Sequence, residues 1–148
     1  MHQIQSLTIC RPGPEATVLL PAYDFAHANK LFSFNLVTLQ AESKAQDTPL
    51  SSFLSLTSYL FQHAHRSLRG TQYTYLSLFT IQTIVEDPVL AKRVCSAESK
   101  TNVRLCRQRQ PYLPLVRGDR ILATVILDMM IDGINHNLRR RLDMEFYM

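Results

Sequence analysis

Residues 121–142 read ILATVILDMMIDGINHNLRRRL. Wound at 100° per residue, Met129, Leu122, Gly133, Ile126, Met130, Ala123, Ile134, Leu127 and Leu138 fall on one arc covering about half the circumference. A surface helix packed on a single neighbour needs a narrower stripe. An arc this wide predicts a helix in contact with two neighbours, as in stacked helical hairpins. It is expected to start near Asp119 and run to about Leu142. Arg139, Arg140 and Arg141 would then lie in its last turn, where cations suit the negative end of the helix dipole. No repeat period is legible, so the expectation of a helical array rests on helix faces alone.

Upstream of this stretch the chain divides by its start and stop signals. Residues 96–118 carry turn residues, basic side chains and two prolines without a helical period, and read as one long basic loop. Thr48-Pro49 and Asp87-Pro88 are both start signals, a capping side chain followed by a proline at the first helical position. The first opens a helix expected to reach about Arg66, with Gly70 as its terminator. The second opens a short helix over Val89 to Cys95. Between them, Thr71 to Val85 is rich in Thr, Tyr, Ile and Val, which favour strands. Its length argues for a helix instead, since strands of fifteen residues are rare. A first helix is expected from Asp24 through Leu39, followed by a polar link at 43–48. Residues 1–22, with Pro12, Pro14 and Pro21, read as irregular.

Bulk properties narrow the function classes. The chain has 148 residues, 46% hydrophobic and 19% charged, enough for one core and low in charge for a self-contained soluble domain. Its three cysteines (Cys10, Cys95 and Cys106) form no C-x-x-C pair, which suits a reducing compartment and excludes a disulfide scaffold. No signal peptide is expected, and the longest apolar run, Ile121–Leu127, is far short of the ~20 residues a membrane span requires. The formal charge is +4. The excess belongs to the C-terminal part: from Lys92 onward there are eleven basic residues against six acidic ones. Such a patch can meet phosphate groups or an acidic partner, or pair internally.

Pro49–Gln62 and Thr71–Val85 carry no formal charge. Their serines, threonines and glutamines would be stranded in lipid, so they are expected to be the central helices of the domain and not a membrane hairpin. Asp128 and Asp132 stand four apart on the last helix and repel each other, with His136 one turn on. A metal reading is disfavoured, since no second ligand cluster completes a shell and Arg139 shares the face. His63 and His65 lie on different sides of a helix and make a poor ligand pair. Instead, Asp128 and Asp132 are expected to form structural ion pairs, with Arg104 or Arg107 of the loop forking onto one of them. The rival is an exposed anion or partner site built from Arg104, Arg107, Arg109, Arg139, Arg140 and Arg141. Nucleic acid is not expected there, because only Tyr112 is at hand for stacking. Nucleotide-loop, serine-hydrolase, zinc-protease and dinucleotide signatures are all missing. No catalytic residue, cofactor, metal or small-molecule substrate is therefore expected.

Several runs then resemble a known family. They are Ser52-Phe53-Leu54-Ser55-Leu56 with Ser58-Tyr59-Leu60; His65-Arg66-Ser67-Leu68-Arg69; Val85-Glu86-Asp87; and Leu105 to Pro114 (LCRQRQPYLP). To these are added Ile126-Leu127-Asp128 and Asp132 to Asp143 (DGINHNLRRRLD). Together they resemble the C-terminal region of armadillo-like helical domain-containing protein 3 in its fungal form, over about Pro49 to Tyr147. The resemblance implies an all-α, armadillo-like helical array fragment, here of about five helices with one long basic loop. It would occupy residues 23–146 after an irregular segment at 1–22. It also implies a non-enzymatic scaffold in the cytoplasm, peripheral at Golgi membranes. That scaffold would support membrane trafficking through a lipid kinase (phosphatidylinositol 4-kinase recruitment) or an Arf-pathway factor. It supplies no catalytic residue. The alternative from the residues alone is a peripheral anionic-lipid-binding module using the basic C-terminal half.

Overall fold

The computed structural model describes residues 13–41, 47–106 and 118–140. It is all-α as expected, with six α-helices and one two-stranded sheet among the described residues. A 3-10 turn at Pro14–Val18 leads into α1 (Leu19–Ala28) and α2 (Lys30–Thr38). Then come α3 (Pro49–His63), α4 (Leu68–Glu86) and α5 (Pro88–Val94). Strands β1 (Lys100–Thr101) and β2 (Arg120–Ile121) precede α6 (Leu122–Arg140).

The two Pro-marked starts hold. Thr48 accepts a hydrogen bond from the Ser51 backbone N–H at 3.2 Å, and Asp87 accepts from Val89 and Leu90 at 2.9 and 3.2 Å. The other boundaries move, each for a local reason. The single helix expected over Asp24–Leu39 is two helices broken at Asn29. That residue turns extended (φ −136°, ψ 103°) and caps α2 through its side chain, taking N–H bonds from Leu31 and Phe32. Helical structure also begins at Pro14, ahead of Asp24, so the part of 1–22 that is described is not irregular. Gly70 does not end α3. α3 ends at His63 and a 3-10 turn over Ala64–Arg66 follows; Ser67 then caps α4, its Oγ accepting the Gly70 N–H at 3.0 Å, which puts Gly70 in the first turn of α4. Arg120 and Ile121 pair antiparallel with Thr101 and Lys100, so α6 starts at Leu122 and not at Asp119. The pairing also gives both ends of the basic loop regular structure, and Gly118 turns the chain into β2 at φ 103°.

α3 is the centre of the molecule. It packs against α2, α4 and α6, and is buried on most sides by Leu50, Phe53, Leu54, Leu60 and Phe61. α4 in turn holds α1 and α5, and α5 reaches α2. Ile81 and Ile84 of α4, Leu90 and Val94 of α5, and Leu122, Val125 and Met129 of α6 complete one continuous core. Charge-free, hydroxyl-rich helices can sit here because their hydroxyls bond within the helix. Thr57, Thr74 and Thr80, all fully buried, donate to the carbonyls of Phe53, Gly70 and Leu76 four residues back, at 2.8–2.9 Å. Their polarity is spent locally, so Thr71–Val85 is a helix despite its strand-favouring composition.

Candidate functional site

The described end of the basic loop runs beside α3 and α6. Val103 and Leu105 pack against the core, and the Cys106 backbone N–H donates to Ser58 Oγ of α3 at 2.8 Å. From there a polar seam follows the contact between the two helices. Gln62 Nε2 donates to Asp132 Oδ2 at 3.1 Å, and the rings of His65 and His136 lie 5.6 Å apart. His63 stacks on Tyr59 one turn back, with ring centroids 4.1 Å apart, and its Nδ1 lies 2.7 Å from the Tyr59 carbonyl. Asn137 is fully buried, and its Oδ1 and Nδ2 have no hydrogen-bond partner among the described residues.

The electrostatics of the seam work against nucleophilic chemistry. Burial, and then the charge of Asp132, push the Cys106 thiol above its ordinary range. The thiolate is the nucleophile, so a thiol held protonated at neutral pH is a poor one. No group of three or more His, Cys, Asp or Glu side chains that could hold a metal ion is found among the described residues. Asp132 instead accepts from Gln62, and Asp128 is bound to a cation.

That cation is Arg120, whose Nη1 lies 2.5 Å from Asp128 Oδ2 with both side chains about three-quarters buried. Sequence reasoning centred on the loop arginines misses it. Arg120 lies on β2, eight residues before Asp128, and its reach is set by the turn from strand into helix. Gln62 escapes as well, because a neutral amide in an uncharged helix gives no charge signal. Of the six candidate anion-site arginines, Arg104 is exposed on the described part of the loop. Arg107, Arg109 and Arg141 lie outside the described residues. Arg139 and Arg140 end α6, but their side chains are not described. Five of the six candidate side chains thus lie outside the described residues, whereas Asp128 and Asp132 are both placed on the face that meets α3 and β2.

The far side of α6 is apolar too. Leu127, Ile131 and Ile134 are 61%, 48% and 42% exposed, at spacings of four and three, opposite the buried Leu122 and Met129. Among the described residues, the helix therefore has two apolar faces and one covering neighbour layer. Val18, Leu20, Leu68 and Phe79, on the 3-10 turn, α1 and α4, are exposed apolar side chains as well.

Three comparisons bear on kinship. The family model described as armadillo-like helical domain-containing protein 3, C-terminal, matches residues 120–148. A protein of Schizosaccharomyces pombe described as a UPF0588 membrane protein is 33% identical over 136 residues. The match takes in 92% of this chain and 22% of that relative, so the chain spans about a fifth of its length. No solved structure matches. No helix among the described residues is long and apolar enough to cross a membrane. The resemblance read from the sequence is thus shown from β2 through α6 to the C-terminal residue: residues 120–148 match the C-terminal region of the armadillo-like helical domain-containing protein 3 family.

Proposed function

We propose that this chain is a non-enzymatic helical scaffold, a protein-interaction domain that docks a partner at a Golgi-type membrane. By family likeness the partner is a phosphatidylinositol 4-kinase or an Arf-pathway factor, and the service is membrane trafficking. The observation that carries this reading is the outward stripe Leu127, Ile131 and Ile134 on α6. A helix apolar on both sides belongs between two layers, and here the described residues supply one of them. Apolar burial supplies affinity at such a face, and nearby basic side chains set encounter rate and specificity.

The test is biolayer interferometry with purified phosphatidylinositol 4-kinase and a purified Arf activator over the immobilised chain. Saturable binding to one of them is expected, weakened at least tenfold by Leu127→Asp with Ile131→Asp, while helix content is kept. Binding to neither, or binding that ignores the double substitution, would sink the reading.

A second reading is a peripheral module for anionic lipid, using Arg104, Arg107, Arg109 and Arg139 to Arg141. Two observations support it: the exposure of Arg104, and the description of the fission-yeast relative as a membrane protein. Flotation with anionic liposomes that falls steeply with salt favours this module, and sedimentation away from the vesicles favours the scaffold.

A further inference from the structure

A groove of about 790 Å³ opens between the 3-10 turn, α1 and α4, with none of the polar-seam residues in its lining. Among the described residues its walls are Leu20, Tyr73, Tyr75, Leu76 and Phe79, with Thr17 and Gln72 as neutral polar groups and Arg69 as the one charged side chain. Phe79, about half exposed, has two rings beside it, Tyr23 at 6.1 Å and Tyr75 at 6.4 Å. Arg69 and Phe79 are ten residues apart on α4, about 15 Å along the helix. One end of this open, largely apolar groove therefore carries a guanidinium. Among the described residues no carboxylate lies within 4 Å of it; the ion pairs described are those of Lys30, Arg93 and Arg120.

We propose that this groove binds a free single-chain anionic amphiphile, a fatty carboxylate or alkyl phosphate. The hydrocarbon tail would lie along Leu20, Leu76 and Phe79, and the head on Arg69. The volume falls within the ~300–1,000 Å³ range of small-molecule sites. The apolar lining supplies affinity without direction, and the guanidinium supplies the choice of head group, since it forks onto carboxylate or phosphate.

The experiment titrates the full chain with a fluorescent fatty-acid analogue and displaces it with oleate, dodecyl phosphate, dodecyl maltoside or dodecyltrimethylammonium, each below its micelle concentration. One-to-one binding is expected, with both anionic amphiphiles displacing the probe at least tenfold better than the neutral and cationic ones. Arg69→Glu should abolish that preference, and Leu20→Trp should fill the groove and weaken every ligand. Loop arginines changed to glutamine should have no effect. Probe binding that is non-saturable, indifferent to head-group charge, or unchanged in both groove variants overturns the proposal. So does binding only to anionic vesicles. Should Leu20→Trp fail to fold, Thr17→Tyr tests the same wall. A negative result here leaves the scaffold reading intact, because that reading is scored at Leu127 and Ile131 of α6.

Discussion

Gly133 lets α6 lie against Phe61 of α3: a Cβ at that position would meet the phenyl ring at 2.9 Å, and the ring is buried with little room to move. Alanine there gains about 1 kcal/mol of helix propensity and loses roughly 1–3 kcal/mol to overpacking. We expect Gly133→Ala to destabilise by about 1 kcal/mol in urea unfolding. Phe61→Leu should relieve part of that loss in a double-mutant cycle. The second residue-scale prediction concerns Cys106. Its raised thiol should alkylate with iodoacetamide more slowly at pH 8 than exposed Cys95, read by mass spectrometry. Asp132→Asn removes one of the two causes and should move the Cys106 profile to lower pH. The same shift links stability to pH. The unfolded chain releases this proton at about pH 8.5 and the folded chain holds it longer, so stability falls as pH rises past that point. The fall should be smaller in Cys106→Ala.

Among the elements, α5 has seven residues and depends on its start. Asp87 supplies both capping bonds, and its carboxylate also lies 3.9 Å from Lys30, a long and exposed contact of little energetic worth. Asp87→Ala should cost about 1 kcal/mol, seen as a lower thermal midpoint, and Lys30→Ala close to nothing. This element was legible because an acid followed by proline states its own geometry. The break at Asn29 was not, since asparagine caps without a proline to mark it, and the apolar spacing runs through the break from Phe25 to Leu36. Gly70 misled for the opposite reason. Glycine after a helical run commonly ends a helix, but α3 had already ended at His63, and Ser67, capping α4, claimed the Gly70 N–H. The seam was half legible. Asp128 and Asp132 could be seen as repelling neighbours in need of a partner, but Arg120 and Gln62 are brought to them by turns and helix packing that no local pattern encodes.

Across the whole molecule, the buried and exposed flanks of α6 should answer differently to substitution. Met129→Ala opens a fully covered site and is expected to cost about 2–5 kcal/mol. Ile131→Asp, on the outward stripe, should change stability by less than about 0.5 kcal/mol while removing partner binding. Equal losses at both positions would mean that the stripe is covered from within the chain. The all-helical class was legible because α3, α4 and α6 are long and their faces consistent. The two-residue strands were not, because a pair so short leaves no alternation to read. Yet that pair has a mechanical result. Lys100–Thr101 and Arg120–Ile121 fasten the intervening polypeptide at its base, and Arg120 is pinned to Asp128 as well. Extra glycine and serine spliced between the fastened ends should therefore lengthen a closed loop without unseating α6, at a cost near ~0.6 kcal/mol for each doubling. Evolution can rewrite what that loop says to its surroundings while the helices beneath keep their places.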